Sequence, residues 1–205
     1  MSFGSCSHPH RGHLFAVEKY LCAEEAARVL IMPSNIPPHK DIEYNVPAAH
    51  RLEMAKIAFS SIDSFGEKIF VSDYEIKSGG KSYTAKTLKH FSRKYSDIDL
   101  LVGSDMFLSL HTWKKPDVIM SKARIVLCRR EKDPEYTKLI EEQKKNLTEN
   151  FGARIFILDN TGDPVEISST EIREMISAGK CPDEITRETF EYILENNLYH
   201  SKESR

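Results

Sequence analysis

Residues 98–103 read Ile98-Asp99-Leu100-Leu101-Val102-Gly103, an almost continuous apolar run that a glycine ends. Apolar residues at successive positions, rather than at every second one, are typical of a strand that is buried on both faces of a parallel sheet. Four more runs of this kind lie at 28–32, 68–72, 124–128 and 153–158. The sequence therefore predicts five strands of a parallel sheet.

Longer stretches with helical spacing of apolar residues separate these runs. They cover about 13–26, 47–62, 84–95, 135–149, 168–178 and 186–197. Alternating strands and helices predict an α/β fold, here a doubly wound parallel sheet with right-handed crossovers. We expect one domain over residues 1–205, in which about 168–205 form a small C-terminal helical part.

The composition limits the classes of function. Charged residues make up 29%, hydrophobic residues 40%, and the net charge is −2, without the basic excess of a nucleic-acid-binding protein. The four cysteines form no C-x-x-C motif, which favours reduced thiols in the cytoplasm. No apolar run has the length of a membrane span, and no signal peptide is recognisable. The sequence is compatible with a homo-oligomer.

Two histidines lie three residues apart in His10-Arg11-Gly12-His13, directly before an apolar helical stretch. Residues three apart on a starting helix share one side, so we expect both imidazoles to converge on one ligand. The free N–H groups and the positive dipole end of a helix start favour an anion such as phosphate. A zinc site that includes His8 and histidines without a function are the two alternatives.

Two further segments carry groups that suit phosphate. Ser168, Ser169 and Thr170 precede a helical pattern on which Arg173 lies about one turn in, where a guanidinium can bind phosphate oxygens in a bidentate manner. The proline-stiffened loop after the first predicted strand ends in the cation Lys40. A plain helix cap and surface charges are the alternative interpretation of these residues.

Two other segments suit the organic part of a nucleotide. The amides of Tyr83 and Thr84 open a helical pattern and suit a small carboxylate or phosphate. Ser104 and Asp105 follow the strand at 98–102, at the edge where doubly wound sheets bind ligands, and the Asp105 carboxylate suits a ribose. The single tryptophan, Trp113, is suited to stacking on a flat ring or to packing in the core.

These segments together resemble one family, the bacterial nicotinate-nucleotide adenylyltransferases among the nucleotidylyl transferases with an H-x-G-H signature. That signature is shared with cytidylyltransferases and pantetheine-phosphate adenylyltransferases, and the other segments narrow the resemblance to the pyridine-nucleotide branch. It extends from about Phe3 to Tyr199. The matching segments are His10-Arg11-Gly12-His13, Pro37-Pro38-His39-Lys40, Ser82-Tyr83-Thr84-Ala85-Lys86-Thr87-Leu88, Gly103-Ser104-Asp105 with Trp113, and Ser168-Ser169-Thr170-Glu171-Ile172-Arg173.

The resemblance implies a Rossmann-like nucleotidylyl transferase fold and a reaction of NAD biosynthesis. ATP and nicotinate mononucleotide would give nicotinate adenine dinucleotide and pyrophosphate, with Mg²⁺ bound to the triphosphate. The implied catalytic residues are His10, His13 and Arg173. The outer ATP phosphates would contact Ser168, Ser169, Thr170 and Lys40, and the mononucleotide would contact Tyr83, Thr84, Ser104, Asp105 and Trp113.

The chain departs from that family before the first histidine. The family usually has a full apolar strand and two consecutive glycines there, whereas here Met1-Ser2-Phe3 precedes a single Gly4 and Ser5-Cys6-Ser7-His8 follows it. Two other classes of function therefore stay open. One is a different H-x-G-H nucleotidylyltransferase, and the other is a non-catalytic protein that binds a nucleotide or a metal.

Overall fold

The computed structural model describes residues 9–37, 46–62, 67–129, 133–159 and 169–199. Lys40 and Ser168 of the predicted site, and His8 of the zinc alternative, lie outside these ranges. The segment before Pro9, where the chain departs from the family pattern, lies outside them as well.

All five predicted strands are present, and every pair of neighbouring strands is parallel. Within the described ranges they form two sheets, one with the order β1-β2 and one with the order β3-β4-β5. The prediction of one continuous sheet differs from this arrangement, since β1 and β3 do not pair in the described part of the chain. The strands are β1 (Val29–Ile31), β2 (Ile69–Val71), β3 (Asp99–Gly103), β4 (Arg124–Arg129) and β5 (Ile155–Asp159).

Each predicted helix is present, with ends that differ from the prediction by a few residues. Three short helices, α3, α5 and α6, were not predicted, because five to seven residues are too few for a helical period to stand out. The helices are α1 (Arg11–Ala23), α2 (Ala48–Ser60), α3 (Tyr74–Ser78), α4 (Thr84–Phe91), α5 (Ser104–Ser109), α6 (Pro116–Lys122), α7 (Pro134–Phe151), α8 (Ser169–Ser177) and α9 (Arg187–Glu195). No helix in the described ranges is long and apolar enough to cross a membrane.

The strands of the larger sheet are covered by helices on both faces. Leu101 of β3 and Val126 of β4 belong to a core with α1, α2 and β1. Their neighbours Leu100 and Ile125 belong to a second core, with α4, α5, α6 and α7. Successive side chains of a strand point to opposite faces, so this division confirms the doubly wound α/β class.

The C-terminal helices pack on α2 and reach the start of α1. Ile172 and Ile176 of α8 and Ile193 of α9 share a buried cluster with Met54 of α2. In the turn between α8 and α9, the Glu184 carbonyl accepts a hydrogen bond from the Arg11 amide at 2.6 Å. This contact ties the C-terminal helical part to the segment that carries the two histidines.

Candidate active site

His10 and His13 lie side by side at the start of α1. Their ring centroids are 3.8 Å apart. The backbone N–H of His10 donates a hydrogen bond to Nδ1 of His13 at 3.2 Å. Since Nδ1 accepts, the proton of the neutral His13 ring is on Nε2, which can then donate to a ligand. The structure thus brings the two imidazoles together as the spacing predicts.

The amides at the start of α1 are less free than the sequence suggests. The Arg11 amide donates to the Glu184 carbonyl, and the His13 amide donates to the His10 carbonyl at 2.8 Å. The His10 amide is used by His13 Nδ1. With these donors bound to protein acceptors, an anion at this end of α1 depends more on the imidazoles than on the backbone.

A pocket lies beside His13 at the carboxyl end of β1, where a parallel α/β sheet is expected to bind its ligand. Ile31 is the last residue of β1, and Pro33 lies in the loop that follows it. The residues that line the pocket are Pro9, His13, Ile31, Pro33, Arg51, Ala55 and Phe59.

Arg51 of α2 is a buried cation in the wall of this pocket, and the sequence reasoning missed it. Its guanidinium donates to the carbonyls of Ser34 at 2.5 Å, Asn35 at 2.6 Å and Val46 at 3.3 Å. The side chain is only 4% exposed. The helical spacing of the sequence could have revealed this residue, because Arg51 lies on the same buried face of α2 as Met54.

The loop after β1 is bonded to the segment that precedes α4. The Asn35 amide donates to Ser82 Oγ at 2.8 Å, and the Asn35 side chain donates to the Gly80 carbonyl at 3.0 Å. The Ser82 amide in turn donates to the Ile36 carbonyl at 2.8 Å. We call this set of bonds the Asn35–Ser82 junction. It connects the wall of the His13 pocket to the start of α4.

The start of α4 presents the predicted amides of Tyr83 and Thr84. Among the described residues no acceptor is hydrogen-bonded to either amide, in contrast to the start of α1. The Lys114 ammonium lies over the Tyr83 ring, 4.2 Å from its centroid, so the loop after Trp113 reaches this helix end. Trp113 is half-buried and packs against the core formed with α4 to α7. The structure therefore brings the residue after Trp113 to the helix end that carries these amides.

Asp105 lies at the start of α5, directly after β3, and is exposed. Its Oδ1 accepts a hydrogen bond from the Tyr136 hydroxyl of α7 at 2.6 Å. Gln143 of α7 donates to the Phe107 carbonyl at 3.1 Å and so holds the other end of α5. Ser104 is only 1% exposed, so its side chain has little surface for a ligand. The sequence reasoning missed Tyr136 and Gln143, since long-range partners leave no local pattern.

Arg173 is half-buried on α8 and lies next to Ile172, which anchors that helix in the cluster with α2. Ser169 and Thr170 are the first two residues of α8. The helix start predicted at Ser168 is thus present one residue later, and Ser168 and Lys40 lie outside the described ranges.

Comparisons with known proteins agree on the family. The Cytidylyltransferase-like family model matches residues 1–175. A relative from Clostridium tetani is 37% identical over 201 residues, which is 96% of this chain and 96% of the relative; its name is "Probable nicotinate-nucleotide adenylyltransferase". The chain belongs to the nicotinate-nucleotide adenylyltransferases. A second relative of that name, from Caldicellulosiruptor saccharolyticus, is 32% identical over 96% of both chains.

Solved structures agree with the adenylyltransferase fold. The nicotinic acid mononucleotide adenylyltransferase of Plasmodium falciparum, in a complex with NaAD, superposes with a TM-score of 0.71. It covers 97% of this chain and 95% of its own, at 18% sequence identity. This likeness confirms the nucleotidylyl transferase fold, while the family follows from the sequence relatives.

The metal-binding alternative has no support among the described residues of this adenylyltransferase. Within those ranges, no group of three or more His, Cys, Asp or Glu side chains is arranged to hold a metal ion. His8, which the zinc alternative requires, lies outside them. The relatives named nicotinate-nucleotide adenylyltransferase favour an enzyme over a non-catalytic protein that binds a nucleotide or a metal.

Proposed function

We propose that this adenylyltransferase uses the two connected regions of the site to join ATP and nicotinate mononucleotide into nicotinate adenine dinucleotide, with release of pyrophosphate. The observation that carries the proposal is the Asn35–Ser82 junction, which connects the His13 pocket to the open amides of Tyr83 and Thr84. The imidazoles of His10 and His13 beside the pocket suit the phosphates of a nucleotide, and the α4 amides suit a small carboxylate.

The reaction needs no covalent enzyme intermediate. A phosphate oxygen of the mononucleotide attacks the α-phosphorus of ATP and forms the new P–O bond. The bond from the α-phosphorus to the bridging oxygen of the β-phosphate breaks, and its electron pair leaves with pyrophosphate. Catalysis then depends on positioning of the reactants and on stabilisation of the departing charge.

His10 and His13 act on the ATP phosphates in this proposal. The Nε2–H of His13 donates to a phosphate oxygen, and its orientation is fixed because Nδ1 accepts from the His10 amide. The Arg173 guanidinium on α8 binds two phosphate oxygens in a bidentate manner. Ser169 and Thr170 at the start of α8, together with Ser168 and Lys40, contact the outer phosphates. Mg²⁺ arrives as part of the Mg–ATP substrate, with phosphate oxygens and water as its ligands.

The amides of Tyr83 and Thr84 bind the nicotinate carboxylate, and the half-buried Trp113 stacks on the pyridine ring. Asp105 accepts from the ribose with the oxygen that Tyr136 does not use. Ser104, being buried, contributes by placing Asp105 rather than by its hydroxyl. We further propose that the chain folds as one domain and acts in the cytoplasm, without a nucleic-acid partner. A homo-oligomer is compatible with this proposal.

A coupled pyrophosphate assay tests the proposed function. ATP and Mg²⁺ are supplied with nicotinate mononucleotide, with nicotinamide mononucleotide, or with no acceptor. We expect release that depends on the acceptor and is faster with the acid. Release without an acceptor, or with a different phosphate acceptor only, would contradict the proposal and favour another H-x-G-H nucleotidylyltransferase.

A further inference from the structure

Glu75 of α3 is a buried carboxyl group that the proposed reaction does not use. It is 4% exposed, and its Oε1 accepts a hydrogen bond from the hydroxyl of Thr87, itself 6% exposed, at 2.6 Å. Burial raises the pKa of Glu75, and the hydroxyls of Thr87 and Ser82 act in the opposite direction. A buried carboxyl group is costly unless it is hydrogen-bonded, so this contact fixes both partners.

The contact lies close to the amides that the proposal assigns to the substrate carboxylate. Thr87 is the fourth residue of α4, and its amide donates to the Tyr83 carbonyl at 3.2 Å. Glu75 lies on the preceding helix, and the chain returns to α4 through Gly79 and Gly80, both with φ near +65°. Residues other than glycine rarely adopt such a φ. The Thr87–Glu75 bond therefore ties α3 to the first turn of α4.

The Asn35–Ser82 junction holds the same helix end from the other side. Ser82 directly precedes Tyr83, and its hydroxyl accepts from the Asn35 amide. Asn35 is itself held by Arg51, which donates to its carbonyl. The amide end of α4 is thus fixed by a buried bond on one side and by the loop after β1 on the other.

We propose that the Thr87–Glu75 bond and the Asn35–Ser82 junction position the Tyr83 and Thr84 amides so that the enzyme selects the acid mononucleotide over the amide mononucleotide. This inference rests on the proposed function. Charge-assisted hydrogen bonds to a carboxylate depend on the direction of both donors. The neutral amide gains less from those donors, so misplacing them reduces the binding of the acid more than that of the amide.

Thr87→Val and Ser82→Ala test the proposal. Thr87→Val removes the hydroxyl that donates to Glu75, and Ser82→Ala removes the hydroxyl that accepts from the Asn35 amide and also acts on Glu75. The readout is the ratio of kcat/KM for nicotinate mononucleotide to kcat/KM for nicotinamide mononucleotide, at saturating Mg–ATP. We expect this ratio to fall about tenfold in each variant, which corresponds to roughly 1.4 kcal/mol. The KM for ATP stays at the wild-type value, and Thr87→Ser, which keeps the hydroxyl, restores the ratio.

Thr189→Val is the matched control. Thr189 is a fully buried threonine of α9 whose hydroxyl is 2.8 Å from that of Thr186, and α9 packs on α2 rather than on α4. The Thr189→Val variant loses a buried hydroxyl, as Thr87→Val does, and we expect its ratio of the two kcat/KM values to stay at the wild-type value. A wild-type ratio in both Thr87→Val and Ser82→Ala, with acid-dependent activity intact, overturns this proposal alone. A wild-type enzyme that transfers nothing to the acid overturns the proposed function and this proposal together.

Discussion

At the residue scale, His13 combines a structural contact with a proposed chemical one. Its Nδ1 accepts a hydrogen bond from the His10 amide, and in the proposed function its Nε2–H donates to a phosphate oxygen. The two contacts use different atoms of the ring, so a substitution can remove one and keep the other.

His13→Ala and His13→Asn separate these contacts. Both variants lack Nε2, and we expect turnover to fall about 10²–10³-fold in each, as for the loss of one donor to a developing charge. An asparagine side chain can still accept a hydrogen bond from the His10 amide, so the free energy of unfolding of His13→Asn should stay within about 0.5 kcal/mol of the wild-type value. His13→Ala loses this bond, and its free energy of unfolding should fall by about 1 kcal/mol. Steady-state kinetics and urea unfolding measure the two effects. Near wild-type turnover in His13→Asn would refute the assignment.

Arg51 has the largest predicted effect on stability of the residues around the pocket. It satisfies three backbone carbonyls from a buried position. Arg51→Met leaves these carbonyls without their donor, and we expect the free energy of unfolding to fall by about 2–4 kcal/mol. Urea unfolding gives this value.

Lys56→Met is the control for Arg51→Met on the same helix. Lys56 is an exposed residue of α2 that pairs with Glu53 at the surface, so we expect a change of less than about 0.5 kcal/mol. If both variants lost the same stability, Arg51 would not be the anchor of the loop after β1.

At the scale of elements, a charged cluster joins α1 to the starts of β3 and β4. Arg124 donates to Asp99 and to Glu24, and the Tyr20 hydroxyl donates to Asp99 at 2.7 Å. Burial alone would raise the pKa of Asp99, but the hydrogen bonds from Arg124 and Tyr20 outweigh it and lower that pKa. Burial and the Asp99 carboxylate raise the pKa of Tyr20, which keeps its hydroxyl protonated.

The lowered pKa of Asp99 makes part of the stability depend on pH. The folded state prefers the ionised carboxylate, so this contribution is complete above the unfolded pKa of about 4 and is lost as the pH falls below it. Asp99→Asn should reduce the free energy of unfolding by roughly 1 kcal/mol at pH 7, and by less at pH 3. Urea unfolding of both proteins at the two pH values measures this. An equal loss at pH 3 and pH 7 would show that the charge of Asp99 is not responsible.

The elements differ in how well the sequence predicts them. The strands and the long helices follow from continuous apolar runs and helical periods, and α7 also begins with the cap Asp133, whose carboxylate accepts from two amides of the first turn. The short helix α6 depends instead on a left-handed residue, Lys115, at φ 58°, followed by Pro116. A lysine in that conformation has no sequence signal, because glycine is the residue expected there.

At the scale of the whole molecule, the fold class and the segments of the site follow from the sequence, but the contacts between the segments do not. Tyr83 and Thr84 are readable as a helix start, and His10 and His13 as neighbours on one side of a helix. The Asn35–Ser82 junction joins residues 47 positions apart, and the Tyr136 contact with Asp105 joins residues 31 positions apart. Such pairs form only when the strands place distant loops at one edge, so no local period reveals them.

A competition experiment measures adenylyl transfer to the acid mononucleotide and the selectivity for it at the same time. The wild-type protein is incubated with Mg–ATP and an equimolar mixture of nicotinate mononucleotide and nicotinamide mononucleotide, and the dinucleotides are separated by chromatography at low conversion. We expect nicotinate adenine dinucleotide to form in roughly tenfold or greater excess over NAD, together with one pyrophosphate per dinucleotide. An excess of NAD, or loss of ATP without any dinucleotide, would contradict this expectation.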